Sequence, residues 1–215
     1  MLAAITEVLF PVTCPLCGRR GAPACAECLQ AVRPPPPLPP PAGVDRWAAP
    51  FAYEGVVREL IARVKYRDER HAIAWLAVRA AGCARAAGVD RPDVVTWAPT
   101  TAAHRRARGF DHAGALARRV ARELGAPCHP LLVRTGGAAQ TGRPARERRD
   151  GPRFDARVET RPIGWAADQW RRVLVVDDVA TTGATLRAAA CALRSTWPRC
   201  EVDALTVART PPPTT

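Results

Sequence analysis

From Trp47 onward the chain alternates between two hydrophobic periods. Val56, Val57, Leu60, Ile61 and Val64 fall on one side of a 3.6-residue repeat, which predicts an amphipathic helix over residues 56–64. A longer helix is expected over 71–87, ending at Gly88. A third is expected over 111–124, where Gly125 follows the last periodic residue as a stop. Between these patterns stand short runs rich in β-branched residues. Residues 93–98 (Asp-Val-Val-Thr-Trp-Ala) read as a strand halted by Pro99, and 202–207 as a final strand. Residues 173–176 are four consecutive apolar side chains, three of them Val, as expected of a strand buried on both faces. An Ala-rich helix over 184–193 follows. Strands alternating with helices predict an α/β fold, a mainly parallel sheet flanked by helices.

Upstream of Trp47 this rhythm is absent. Residues 33–43 hold seven prolines, which exclude helix and central strand and favour extended polyproline II. The expected organisation is a finger segment over 1–33, a semi-rigid linker over 34–46, the α/β domain over 47–209 and a frayed tail over 210–215. Within the first segment, Cys14-Pro-Leu-Cys17 and Cys25-Ala-Glu-Cys28 form two C-x-x-C knuckles. Each knuckle turns two thiolates toward one point, and four thiolates make a closed tetrahedral site for structural Zn²⁺. A thiol–disulfide pair or two disulfides are the competing readings. Residues 1–10 are mildly apolar but lack a basic lead and contain Glu7, so they read as a packing segment and not a signal peptide. A cytoplasmic, reducing location follows, and it favours zinc. Cys83, Cys128, Cys191 and Cys200 lack ligand spacing and are expected to be buried free thiols.

Composition narrows the class of partner. In 215 residues, 47% hydrophobic content is enough to build a core without disulfides, and no apolar run approaches the length of a membrane span. The formal net charge is +12, and of 32 basic residues only Lys65 is a lysine. Arginines gather at Arg105, Arg106 and Arg108, at Arg143, Arg146, Arg148, Arg149 and Arg153, and at Arg171 and Arg172. Such a balance attracts phosphorylated ligands or nucleic acid, although a solvated charged face accounts for the same runs.

The chemistry concentrates in residues 173–185, Val-Leu-Val-Val-Asp-Asp-Val-Ala-Thr-Thr-Gly-Ala-Thr. Asp177 and Asp178 stand where the strand is expected to end, and a hydroxyl-rich turn leads into the next helix. Ligands of open α/β sheets sit beyond the carboxyl ends of the strands, and the N–H groups opening the next helix form an anion site. Carboxylates accept hydrogen bonds from vicinal hydroxyls, whereas threonine hydroxyls and backbone N–H groups donate to phosphate. A solvated acid pair before a capped helix is the plain alternative.

This segment resembles the phosphoribosyl pyrophosphate (PRPP) motif of type I phosphoribosyltransferases. The resemblance implies that Asp177 and Asp178 hold the ribose hydroxyls as catalytic and PRPP-binding residues. It also implies that Ala180, Thr181, Thr182, Gly183, Ala184 and Thr185 cradle the 5′-phosphate. Phe51-Ala-Tyr53-Glu-Gly55, Arg58-Glu-Leu60-Ile61, Lys65-Tyr66 and Arg108-Gly109-Phe110 occur in the order seen in the ComF family. That family joins a four-cysteine finger to a phosphoribosyltransferase-like domain, so the likeness spans nearly the whole chain. Arg134-Thr135, Gln140 and Glu147-Arg148 look like its mobile stretch. The chain departs from the family pattern at Thr96-Trp97-Ala98-Pro99, at Asp111-His112 in place of Asn-Gln, and at Gly151 in place of Asn.

By this resemblance the expected reaction is Mg²⁺-assisted displacement of pyrophosphate at ribose C1, through an oxocarbenium-like centre. The acceptor is a nucleophile that the sequence does not name. Arg105 and Arg108 fall in the stretch that binds pyrophosphate in phosphoribosyltransferases, and an ordinary surface position fits them equally. His104 and His112 have the setting of surface or capping residues and are given no chemical role. The family name adds an association with DNA uptake. The alternative function is therefore a non-catalytic adaptor that binds single-stranded DNA or a competence helicase. Aromatics are only 6% of the chain and are absent from 143–153, which disfavours base stacking there.

Overall fold

The computed structural model describes residues 13–14, 17–21, 24–67, 70–101, 103, 106, 111–135, 151–157 and 170–211. Its elements are α1 (Ala26–Gln30), β1 (Arg46–Ala48), β2 (Phe51–Ala52), α2 (Gly55–Arg67), α3 (Arg70–Ala86), β3 (Val94–Trp97), α4 (His112–Leu124), β4 (Leu132–Arg134), β5 (Phe154–Ala156), β6 (Arg172–Ala180), α5 (Ala184–Thr196) and β7 (Glu201–Arg209). The main sheet has the order β1–β7–β6–β3, and β2 also pairs with β7. Every pairing in it is parallel. β4 and β5 form a separate antiparallel pair. The mainly parallel α/β sheet expected from the sequence is the one observed.

Alternation along the central strand divides the core in two. Leu174 and Val176 of β6 join Val95, Leu205 and Val207 under α2, α3 and α4. Val173 and Val175 face the opposite way, with Val94, Val202 and Ala204, against Leu186, Ala189 and Leu193 of α5. All four residues of the 173–176 run are at most 1% exposed, as a strand covered on both faces requires. α4 is bounded as its sequence suggests. Asp111 caps it by accepting from Gly114 N–H, and Gly125 ends it in the left-handed conformation (φ 69°).

Three differences from the sequence reading have physical reasons. β6 does not end before the acid pair, because β7 is long enough to pair Asp177 with Thr206, Val179 with Ala208 and Ala180 with Arg209. β1, β2 and the β4–β5 pair are two or three residues long, too short for a period to register. Of the four unclustered cysteines only Cys200 is fully buried. Cys83 and Cys128 are half-buried, and Cys191 is exposed because it lies on the outer side of α5.

The proline run lies along this sheet. Arg33 C=O accepts from Ala52 N–H (2.9 Å), and Arg209 donates to Pro36 C=O and Leu38 C=O. Further on, Arg194 Nε donates to Gly43 C=O (2.9 Å) and pairs with Asp45.

Stability at the sheet edge depends on a buried ion pair. Asp203 of β7 is 1% exposed and accepts two hydrogen bonds from Arg46 of β1, at 3.0 and 2.9 Å. Burial pushes its carboxyl upward against the pull of Arg46. Arg46→Ala would remove both hydrogen bonds from a buried carboxylate, leaving only the longer contact to Arg172 (3.8 Å), and is expected to destabilise by about 3 kcal/mol. Thermal denaturation should show a melting point lower by roughly 10 °C. An unchanged melting point would mean that Arg172, 3.8 Å from Asp203, suffices as its partner or that Asp203 carries a proton.

Candidate functional site

The acid pair stands near the carboxyl end of β6, just past the end of the β3 ladder at Val176 and still alongside β7, which pairs Thr206 with Asp177. Asp178 N–H donates to Asp177 Oδ1 (2.8 Å), so the first carboxylate is oriented by the backbone of the second. Lys65, near the end of α2, places its Nζ 2.8 Å from Asp178 Oδ2. Asp177 keeps some contact with solvent, yet the protein packed around it enforces strong desolvation. That desolvation, reinforced by the charge of Asp178, pushes the Asp177 carboxyl up to about 8, against the Asp178 N–H bond and Lys65.

Two further groups border the pair. Asp111 adds to the upward push on Asp177. It also accepts from Trp97 Nε1–H (3.0 Å), which ties the end of β3 to the start of α4. Arg134 of β4 is half-buried with its guanidinium 5.8 Å from the Phe154 ring centre, and no partner for Nε lies among the described residues. Burial lowers its pKa, and Asp177 acts in the opposite sense.

After Ala180, the last and buried residue of β6, Thr181 and Thr182 are exposed and Gly183 opens α5. Gly183 has φ 72° and no side-chain cap, and a Cβ there would lie 2.6 Å from Pro41 Cγ. Both the backbone conformation and the close approach of the proline run demand glycine. Thr182 Oγ1 accepts from Ala184 N–H (3.4 Å), and Arg187 N–H donates to Gly183 C=O (2.9 Å) as the first helical bond. Thr185 is half-buried in the first turn. Exposed hydroxyls at the opening of a 13-residue helix form an arrangement able to receive an oxyanion.

Asp177, Asp178 and residues 180–185 are thus brought to one end of the sheet. Arg105, Arg108 and His104 lie outside the described residues, as do Arg143, Arg146, Arg148 and Arg149. His112 is neither a surface residue nor a helix cap. It is 6% exposed, with Nε2 3.0 Å from Val64 C=O, and so ties α4 to α2. Sequence reasoning missed Lys65, whose signal was its standing as the single lysine among 32 basic residues. Arg134 is matched only by its place in the ComF-like mobile stretch, and Pro41 gave no comparable signal.

No family model and no curated protein sequence matches the chain. Among solved structures it is similar to the allosteric regulatory enzyme of purine biosynthesis, with 20% identity, 64% of this chain and 26% of that chain covered, and a TM-score of 0.42. It is also similar to a hypothetical protein from Neisseria gonorrhoeae with bound ppGpp (12% identity, 64% and 78% covered, TM-score 0.38). A third is orotate phosphoribosyltransferase from Aeropyrum pernix (19% identity, 71% and 76% covered, TM-score 0.35). The chain thus spans about a quarter of the first of these proteins.

The four-cysteine cluster is a separate site. Cys14, Cys17, Cys25 and Cys28 bring their Sγ atoms within 4.8 Å of one another, and no disulfide links them. Cys14 C=O accepts from Gly18 N–H (2.8 Å), and Cys25 C=O accepts from Leu29 N–H (3.0 Å), so the second knuckle opens α1. A tetrahedral metal with bonds of about 2.3 Å to sulfur spaces its ligands roughly 3.8 Å apart. Cys17 Sγ and Cys25 Sγ are 3.4 Å apart, so the set could hold such a metal after small adjustments. Its proximity to Cys25, followed by burial and the other thiols, pushes the Cys28 thiol up to about 12. Among the described residues, no helix is long and apolar enough to cross a membrane.

Proposed function

We propose that this protein binds PRPP with Mg²⁺ at the end of β6 and transfers its phosphoribosyl group to an acceptor, as a ComF-like cytoplasmic protein with a structural zinc finger. The observation that carries this reading is the continuity of the two halves of the site. An oriented acid pair passes within three residues into exposed threonine hydroxyls and a helix opening at a positive-φ glycine. Vicinal hydroxyls need acceptors and a phosphate needs donors, and the site supplies them in that order along one turn. Bound Mg²⁺ would neutralise the leaving pyrophosphate. The chain's own part is to fix the ribose through Asp177 and Asp178 and the 5′-phosphate through residues 181–185. The sequence resemblance to ComF proteins adds the association with DNA uptake.

Calorimetric titration with PRPP, with and without Mg²⁺, tests the reading. Micromolar binding that requires Mg²⁺ is the expected result. A folded protein that ignores PRPP but binds single-stranded DNA would overturn it in favour of an adaptor on this scaffold.

A further inference from the structure

Among the described residues, each acid of the pair engages the protein through one oxygen. Asp177 Oδ1 is taken by Asp178 N–H and Asp178 Oδ2 by Lys65 Nζ, both at 2.8 Å. Asp177 Oδ2 and Asp178 Oδ1 have no partner among the described residues. Two carboxylates with one engaged and one open oxygen each match two vicinal hydroxyls, each of which donates one proton.

We propose that Lys65 is the positioning residue of this pair: its ammonium pins Asp178 Oδ2 so that Asp178 Oδ1 and Asp177 Oδ2 accept the 2- and 3-hydroxyls of a bound ribose phosphate. The inference rests on the sugar-phosphate reading above and deepens it. Residue type supports the role. All other basic residues of this chain are arginines, yet a lysine reaches Asp178. A guanidinium fork engages both oxygens of a carboxylate, whereas an ammonium is a compact point charge that holds one. Arginine here would close the oxygen that the sugar needs. The stem of Lys65 is guided by its surroundings. It borders a cavity of about 20 Å³ whose walls include Ile61, Val64, Leu76, Leu116 and Val207, so the ammonium is delivered from an apolar groove to the acid. Only 21% of the Lys65 side chain and 25% of that of Asp178 is exposed, which shields the contact from the screening that weakens surface pairs.

The test uses the full-length protein as wild type, Lys65→Arg and Lys65→Met. Each is titrated with PRPP and Mg²⁺, then with ribose 5-phosphate and 2-deoxyribose 5-phosphate, alongside thermal denaturation. Both variants are expected to bind PRPP about tenfold more weakly, the loss of one hydrogen bond to a charged group. Both should also lose much of the preference for ribose over deoxyribose, with melting points within a few degrees of wild type. The arginine variant is decisive, because a merely structural ion pair would survive in it. Lys65→Arg with wild-type PRPP affinity and sugar preference would overturn the role of Lys65 and leave the site reading standing. Wild-type protein that binds none of the three sugars would remove the reading and this inference together.

Discussion

Replacement of Asp177 and Asp178 by asparagine should cut PRPP affinity by at least a hundredfold while the fold survives. Two charge-assisted hydrogen bonds to the ribose are lost, each worth about ten- to a hundredfold. The substitution keeps the shape of the strand end, and the ladders to β3 and β7 are backbone bonds that asparagine does not disturb. The pH dependence gives a second signature. Asp177 is pushed up to about 8, so at pH 7 it is largely protonated without ligand, and the ionised form is the better acceptor. Wild-type affinity should therefore rise from pH 7 to 9 and flatten above the titration of Asp177, a rise absent in Asp177→Asn. Stability should move the other way. A carboxyl whose folded pKa lies above its unfolded value contributes stability that is complete in acid and is lost as pH rises through about 8. Asp177→Asn should accordingly be more stable than wild type at pH 8.5, by up to several kcal/mol, and gain little at pH 4, read from melting points at the two pH values. Unchanged PRPP binding in the double variant would sink the assignment of the ribose ligands.

The portions of this architecture legible in the sequence are those written in local period and local chemistry. Residues 56–64 and 111–124 carry helical spacing, and Asp111 and Gly125 are capping types at the right places, so α2 and α4 could be read within a few residues. The 173–176 run is apolar on both sides because helices cover both faces of β6. What escaped was set by distant partners. β6 continues through its charged residues only because β7 lies alongside it. β4 and β5 find each other across an arginine-rich stretch that no alternation predicts. The placement of Lys65 against Asp178 joins residues from α2 and β6, and a sequence records the residue types but not that meeting. The proline run likewise reads as an extended segment, while its contact with Gly183 depends on where the sheet ends.

If the four-cysteine cluster holds zinc as proposed, stripping the metal should have the largest structural effect while sparing the proposed sugar-phosphate site. Zinc held by four thiolates contributes an apparent free energy of about 10–16 kcal/mol to a small finger. Residues 13–31 have little else to hold them: α1 has no fully buried residue, and Cys14, Ala24 and Cys25 are the only buried apolar groups in that span among the described residues. Chelation of zinc-loaded protein is therefore expected to release one Zn²⁺ per chain, expose four reactive thiols and abolish amide protection across this span. Free thiols released from the finger are mostly protonated at neutral pH, whereas zinc binds thiolates. Zinc binding must then release protons, and affinity should climb steeply with pH. The α/β domain should persist, because its two core clusters include none of these cysteines. The proline run should also stay in place over Gly183, since Ala52, Arg209 and Arg194 hold it from the domain side. PRPP affinity is consequently expected to change less than threefold on metal removal. A larger loss would show that the finger, acting through the proline run, sets the conformation of the phosphate loop. Two intact disulfides in place of zinc, seen by mass spectrometry, would overturn the metal assignment itself.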